Sequence, residues 1–243
     1  MSSTQFRTDE LESVAYELWR APEVVELDGW RLRYAYGYTG RANSVWPNGD
    51  GALPLDEKID RVEEWYRERS RPPAFQLTEA ARPRELDARL AERGYIVRTA
   101  PVSVQTAALD DVLARTHGEA DVSEELDDAW VSLFAGSRGF DRLDVVRMLL
   151  EAGDTAFARV GDVAGGRGVR VGDWLGITSM VTVPEARRRG HGRAILHALA
   201  RWGAARGCTR AILQVERGNA AAEELYGGVG FVPHHEYRYR VLV

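Results

Sequence analysis

The 243-residue sequence predicts an α/β fold of the α+β kind, made of two successive halves, each a mixed sheet flanked by helices. Two observations carry this. Short β-rich runs alternate along the chain with segments whose apolar residues recur at three- and four-residue spacing. The order strand, helix, strand, helix, Gly-aromatic also occurs twice. Placing Pro47 on Pro184 puts Ile59 on Leu196, Val62 on Leu199, Trp65 on Trp202 and Phe75 on Ile212. With a one-residue slip, Gly94-Tyr95 falls on Gly230-Phe231. Repeats of this kind decide the architecture and are sought first.

In chain order, residues 9–19 read as a short helix with Leu11, Val14, Ala15 and Leu18 as its apolar stripe, closed by Pro22. Val24 to Tyr36 reads as a hairpin around Asp28-Gly29. A polar loop, 37–43, leads to a strand ending at Pro47. Residues 56–69 form an amphipathic helix with Ile59, Val62 and Trp65 inward, and 74–78 a strand. Residues 83–93 read as a helix that stops at Gly94, and 102–106 as a strand. A charged, weakly periodic stretch, 108–120, reads as a linker, which sets the expected domains at 1–107 and 121–243. The second half is expected to open with helices over 123–135 and 140–151. Strands follow over 155–160 and 169–183, with Gly165-Gly-Arg-Gly168 as the turn between them.

Hydrophobic residues make up 44% and charged residues 28%, the balance of a soluble globular chain. No apolar run approaches a membrane span, and the N-terminal Met-Ser-Ser-Thr-Gln-Phe-Arg lacks the apolar core of a leader. The expectation is a cytoplasmic protein with no membrane partner. The net charge of −5 argues against a nucleic-acid surface. Cys208 alone excludes an internal disulfide framework, and its place before an apolar strand makes it a structural thiol. The five histidines include no pair at helical ligand spacing, so no metal is expected.

The stretch with chemical content is Ile177–Gly192. A β-rich run ends at Val183-Pro184, Arg187-Arg-Arg-Gly190-His-Gly192 follows, and then a helix with Ile195, Leu196, Leu199 and Trp202 on one face. A helix start offers unpaired N–H groups and a positive dipole end, which together hold an anion. The glycines let a bulky phosphate come close, and the arginines add charge at the rim. The Gly-Lys-Ser/Thr of a P-loop is absent, and Ile195 stands where a dinucleotide fingerprint needs its third glycine.

Arg-x-x-Gly-x-Gly after a strand ending in Val-x-Val-Pro resembles the signature of the GNAT superfamily of acyl-CoA-dependent N-acetyltransferases. The likeness continues through the strand Ala211–Val215 to Asn219-Ala-Ala-Ala222-Glu-Glu-Leu225-Tyr226 and Gly230-Phe231, the superfamily's Asn-x-x-Ala-x-x-Leu-Tyr and Gly-Phe. More narrowly, Trp174–Arg240 resembles an actinobacterial-type group of two-part GNAT proteins. The resemblance implies a tandem GNAT-like fold. It implies that Arg188, Arg189, Gly190, His191, Gly192 and Arg193 bind the coenzyme A diphosphate, and that Met180, Val181 and Val183 offer backbone groups to the pantetheine arm. Asn219 would sit near the acetyl group, and it also suits a helix N-cap. Tyr226 would be the general acid: a phenol is protonated at neutral pH and can give its proton to a departing thiolate.

The strand before the glycine loop has no acid where many relatives carry a basic glutamate. Asp173, Glu216, His235, Glu236 or a water chain are open alternatives. For the acceptor, Trp130, Phe134, Arg138, Phe140 and Asp141 fall where a GNAT domain borders its pocket, although core aromatics beside a surface arginine read the same way. Opposite the arginine loop the first half has Asp50-Gly-Ala-Leu-Pro-Leu55, opposite Tyr226 it has Leu90, and opposite Asn219 it has Pro83. It is therefore read as a degenerate copy, with Arg41-Ala-Asn43-Ser44 as a loop bordering the acceptor. The expected activity is acetyl transfer from acetyl-CoA, as co-substrate, to a primary amine of a small molecule by direct attack. A protein lysine or N-terminal acetyltransferase and a non-catalytic acyl-CoA-binding module are the alternatives. The sequence does not set the oligomeric state.

Overall fold

The structure is a computed structural model and describes residues 6–243. Most of the N-terminal stretch read above for a leader, residues 1–5, lies outside them. In chain order the first elements are α1 (Thr8–Glu17), β1 (Glu23–Leu27), β2 (Trp30–Tyr34), β3 (Val45–Trp46), α2 (Leu55–Glu68), β4 (Ala74–Leu77), α3 (Leu86–Glu92), β5 (Ile96–Val97) and β6 (Val102–Ala108). There follow α4 (Leu109–Arg115), β7 (Asp121–Ser123), α5 (Asp128–Arg138), α6 (Leu143–Leu150), β8 (Asp154–Val160), β9 (Ala164–Val171) and β10 (Trp174–Thr182). After a 3-10 turn at Pro184–Ala186 come α7 (His191–Ala205), β11 (Arg210–Glu216), α8 (Ala220–Gly228) and β12 (Val232–Val241).

The chain forms two compact units. One gathers Met1–Glu12 (described from Phe6), Ala21–Val102 and His235–Val243, and the other Ser13–Arg20 and Ser103–His234. This differs from a single cut between residues 107 and 121: the end of α1 joins the second unit and the end of β12 the first.

In the first unit β1 and β2 make a hairpin closed at Leu27↔Trp30. Asp28 (φ 47°) and Gly29 (φ 85°) are both left-handed, the type I′ turn whose twist matches its strands. β2 pairs antiparallel with β3, β3 runs parallel to β4, and β4 and β5 each pair antiparallel with β12. Trp30, Ile59, Val62, Tyr66, Phe75, Leu90 and Tyr95 form the core beneath α2 and α3. Tyr66 is buried and Trp65 half-buried, so the inward face of α2 is turned slightly from the one read in the sequence. The segment from Pro83 is turns before α3 begins at Leu86.

In the second unit the strand order is β6-β11-β10-β9-β8-β7. β9 is antiparallel to β8 and β10, and β10 is parallel to β11. The order β10–α7–β11–α8 is the order β3–α2–β4–α3 of the first unit, with a parallel strand pair in each.

Three sequence expectations are corrected here. The stretch read as a linker holds α4, whose Leu109 and Val112 are fully buried. Residues 121–123 are a strand paired with β8, and the helix expected from 123 begins at Asp128, where the Asp127 carboxylate accepts from Trp130 N at 2.6 Å. The Gly165–Gly168 stretch lies inside β9 and not in a turn; the turn after β8 falls at residues 161–163, and a second at Gly172-Asp173 splits the run read as one strand over 169–183. Packing explains the glycines. A Cβ on Gly166 would stand 2.5 Å from Met180 Sδ and 2.6 Å from Ile195 Cγ2, and one on Gly168 3.2 Å from Leu199 Cδ2. Glycines there let α7 settle against the sheet.

Candidate functional site

The site is built where β10 and β11 part. Their registered pairs end at Ile177↔Leu213, yet β10 continues to Thr182 and β11 to Glu216. On its other side β10 stays with β9, but three steps from Thr178 to Val181 face two from Arg167 to Gly165. The extra residue is a β-bulge, and Ser179 within it holds φ 54°. A left-handed serine costs on the order of 1–2 kcal/mol. Strain of this kind gathers at functional positions.

Three polar atoms surround this opening unmatched: Thr178 Oγ1, Ser179 Oγ and Gln214 Oε1 are buried without a hydrogen-bond partner. Thr178 and Gln214 are the residues directly after the last registered pair. Each such atom costs roughly 1–3 kcal/mol, so their grouping marks a place for a polar guest. Sequence reasoning missed all three. The acid-free strand was legible, but the bulge at Ser179 and the burial of the Thr178 and Ser179 hydroxyls were not.

Beyond β10 the loop forms an anion nest. Arg188 (φ 58°) and Gly190 (φ 84°) are left-handed, and Gly190 is the N-cap of α7 with no side-chain cap. The amides of Arg193 and Ala194 return to Gly190 O at 2.9 and 3.1 Å, whereas those of Arg188 to Gly192 have no acceptor among the described hydrogen bonds. Free amides at the positive end of a 15-residue helix have the chemistry that suits phosphate oxygens. The side chains of Arg188 and Arg189 are exposed, and those of His191 and Arg193 half-buried.

The two glycines serve different ends. Gly190 needs its left-handed angle, and a Cβ there would meet nothing within 4 Å. A Cβ on Gly192 would instead stand 2.9 Å from Leu225 Cδ2, so this glycine admits α8 against the start of α7. The sequence argument assigned Gly192 wholly to ligand clearance; helix contact is the reason the structure gives. Of the strand residues, Met180 lies within the bulged interval and Val181 at its far end, both half-buried. The Val183 amide is engaged by Val163 O at 2.9 Å and its carbonyl accepts from Ala186 N.

Asn219 is the N-cap of α8, its side chain accepting from Ala222 N at 3.3 Å. Tyr226, 7% exposed, packs edge-on to Phe231 at 6.0 Å. Burial, opposed by the charge of Arg138, pushes its phenol up to about 12. The group is thus a proton holder at neutral pH and not a base. Among the residues read as possible bases, Asp173 is 3.3 Å from Thr209 Oγ1 and 3.5 Å from Arg210. His235 and Glu236 belong to the first unit, and Glu216 ends β11 beside the opening. In the expected acceptor region Trp130 stacks on Phe134 and meets Phe157 edge to face, and Trp130 Nε1 donates to Ala158 O, so these three are core, while Phe140, half-buried, meets Phe134 edge to face. Arg138 is exposed and acts on Tyr226 through its charge. Cys208 is buried, and burial raises its thiol pKa, as a structural thiol requires. No group of potential metal ligands occurs among the described residues, and no helix among them is long and apolar enough to cross a membrane.

Comparison with known proteins matches residues 5–240 to the family described as "Probable histone acetyltransferase Rv0428c C-terminal". A relative from Mycobacterium tuberculosis, the probable histone acetyltransferase Rv0428c, is 32% identical over 94% of this chain and 72% of its own length. The uncharacterized N-acetyltransferase YobR of Bacillus subtilis is 27% identical over 95% of this chain and 97% of its own. Among solved structures, a GCN5-related N-acetyltransferase from Kribbella flavida shares the fold with a TM-score of 0.68 at 15% identity, covering 96% of this chain and 94% of that one.

Proposed function

Since the chain belongs to the Rv0428c C-terminal acetyltransferase family and is a GNAT-type, acyl-CoA-dependent N-acetyltransferase, we propose that its acceptor is the primary amine of a small molecule. In this reading the free amides of residues 188–192 and the start of α7 hold the coenzyme A diphosphate, with Arg188, Arg189, His191 and Arg193 around it. The unpaired edge of β10 at Met180 and Val181 takes the pantetheine arm as an added strand. Val183 has less to offer, since both of its backbone groups are engaged. Asn219 fixes the start of α8, and Tyr226 on that helix holds the proton needed by the departing sulfur. Acetyl-CoA supplies the activated acyl group, and the amine attacks it directly.

The observation that carries the small-molecule reading is the burial of the unmatched polar atoms. Thr178 and Ser179 are 8% and 9% exposed, a depth that suits the N–H groups of a compact amine better than a peptide lying across a surface. Their hydroxyls and Gln214 would orient the amine, and a water held there would relay its proton to Glu216. The second reading is a protein acceptor. The Mycobacterium tuberculosis relative is described as a probable histone acetyltransferase, and a net charge of −5 favours a basic tail. The first unit, in both readings, is a degenerate GNAT-like half that binds no acetyl-CoA, and the catalytic domain is the second unit.

Thiol release from acetyl-CoA, followed across small primary amines and lysine-rich peptides, separates these readings. Turnover confined to small amines is expected. Preference for peptides would establish the second reading, and no acceptor-dependent release in either group would leave an acyl-CoA-binding module.

A further inference from the structure

Arg167 on β9 is 0% exposed, and its charge has no counter-ion. Nη1 donates to Leu18 O at 2.8 Å and Nη2 to Ala152 O at 2.7 Å, Cζ lies 5.8 Å from the Trp19 ring centre, and Nε has no partner. These partners are neutral, and all belong to the second unit.

A buried charge is ordinarily paired with an opposite one, because its desolvation is otherwise uncompensated. The acids on the elements around Arg167 are engaged elsewhere. Glu17 of α1 pairs with Arg20 at 2.6 Å, Asp128 of α5 and Glu151 of α6 pair with Arg147, and Asp154 of β8 lies 3.2 Å from Arg170. Arg138, at the end of α5, is a further cation. Burial pushes the Arg167 guanidinium down to about 9, Arg20 pushes the same way, and no acid opposes them. It still keeps its proton at neutral pH.

Sheet geometry sets this residue beside the strand opening. Gly166 and Gly168 face α7, so Arg167 between them faces the other side. Arg167 is the register partner of Thr178. A Cβ on Gly176 would stand 2.1 Å from Leu18 Cδ2, so Gly176, and Thr178 two residues on, face the side where Arg167 meets Leu18. Gln214 directly follows Leu213, the partner of Ile177, and continues the row. Arg167, Thr178 and Gln214 thus stand in one row across three strands, each with an unmatched buried atom.

We propose that the unpaired buried charge of Arg167 keeps the acceptor amine neutral at the opening, and so takes over the task of the glutamate base that β10 lacks. This rests on the reading that places the amine at Thr178 and Gln214. At the effective dielectric of proteins, a unit charge about 10 Å away disfavours a second cation by about one pKa unit. The ammonium gives its first proton to water, and so to solvent, as it enters. The neutral nitrogen attacks the thioester carbon, the C–N bond forms as the C–S bond breaks, and sulfur leaves with the Tyr226 proton. The second proton lost by nitrogen returns to Tyr226 through water. One ammonium and one acetyl-CoA give one amide, one thiol and one solvent proton.

The pH profile of kcat tests this, with primary amines of graded solution pKa. In the wild type the acidic limb of kcat should fall at least about one pH unit below each amine's own pKa and track it from amine to amine. Arg167→Met should raise the limb by about one unit, and Arg167→Lys, which keeps the charge, should hold it near the wild-type position. Tm and acetyl-CoA affinity are read alongside, since a purely structural role moves these and leaves the limb. The wild-type arm decides even where Arg167→Met does not fold. A limb fixed whatever the amine would identify a protein base and overturn the proposal. So would a limb at the amine's own pKa, an unmoved limb in Arg167→Met, or a limb displaced as far in Arg167→Lys as in Arg167→Met. Lysine-rich peptides enter as a second acceptor class. Turnover of peptides alone would overturn the small-molecule reading, while their limb tests the charge in the same way. No turnover in either class would overturn both.

Discussion

Tyr226 meets two demands on one side chain: its ring belongs to the core of the second unit, and its hydroxyl makes no hydrogen bond among the described residues. Phenylalanine keeps the first property and loses the second. Tyr226→Phe is expected to lower kcat by roughly 10²–10⁴, the range for a general acid, with the KM for acetyl-CoA little changed. A mutant with full kcat would reduce Tyr226 to packing. The pH profile follows from the direction of the shift. A phenol raised to about 12 keeps its proton well past its usual pKa, so kcat should show no alkaline loss from this group below about pH 10. The same shift contributes stability that is complete below the unfolded value and is lost as pH rises through the folded one. At Gly190 the left-handed angle is the whole requirement. Gly190→Ala should cost about 1 kcal/mol of stability and weaken acetyl-CoA binding by at least roughly tenfold, read by calorimetry. Unchanged affinity would remove the loop from the cofactor site. It is a cleaner probe than Gly192→Val, which also strikes Leu225.

At the scale of elements, the long amphipathic helices and the glycine loop were legible because their signals are local: apolar spacing in α2 and α7, and two glycines at a helix start. What escaped was decided by distant contacts. Four residues of β9, Gly165-Gly-Arg-Gly168, read as a turn by composition, and only the helix packed across them shows why a strand carries three glycines. The seven residues of α4 span too few turns to show periodicity, although Leu109 and Val112 anchor it fully. The bulge at Ser179 depends on register with β9 and leaves no mark in the residue types. Close packing on β9 makes a prediction. Gly166→Ala should destabilise by roughly 1–3 kcal/mol through overpacking, lowering Tm by several degrees. Combined with Ile195→Ala it should cost less than the sum of the two changes, because the new methyl takes up space the isoleucine gives back. Strict additivity in a thermal melt would mean that α7 does not press on this strand.

For the whole molecule, the proposed reading is that two units with the same strand–helix order hold one cofactor, in the second. In the second unit the amides before α7 are free. In the first unit the segment before α2 already has an anion of its own: the Asp28 carboxylate accepts from Ala52 N at 2.9 Å and Leu53 N at 3.0 Å. Lys58, 2% exposed, lies 3.4 Å from the same carboxylate. A Cβ on Gly51 would fall 1.9 Å from Asp28 Oδ2, so the carboxylate sits directly against this segment, and in the proposed reading it stands in place of a diphosphate. The acid and proline of Asp50–Leu55 were readable as a poor phosphate cradle. The internal carboxylate that closes it comes from the hairpin turn more than twenty residues earlier and was not. Calorimetric titration of acetyl-CoA into the full chain tests this division most directly. The account predicts one equivalent bound per chain, with that single isotherm weakened by Gly190→Ala and untouched by Asp50→Ala. Two equivalents per chain, or full-strength binding in Gly190→Ala, would contradict it.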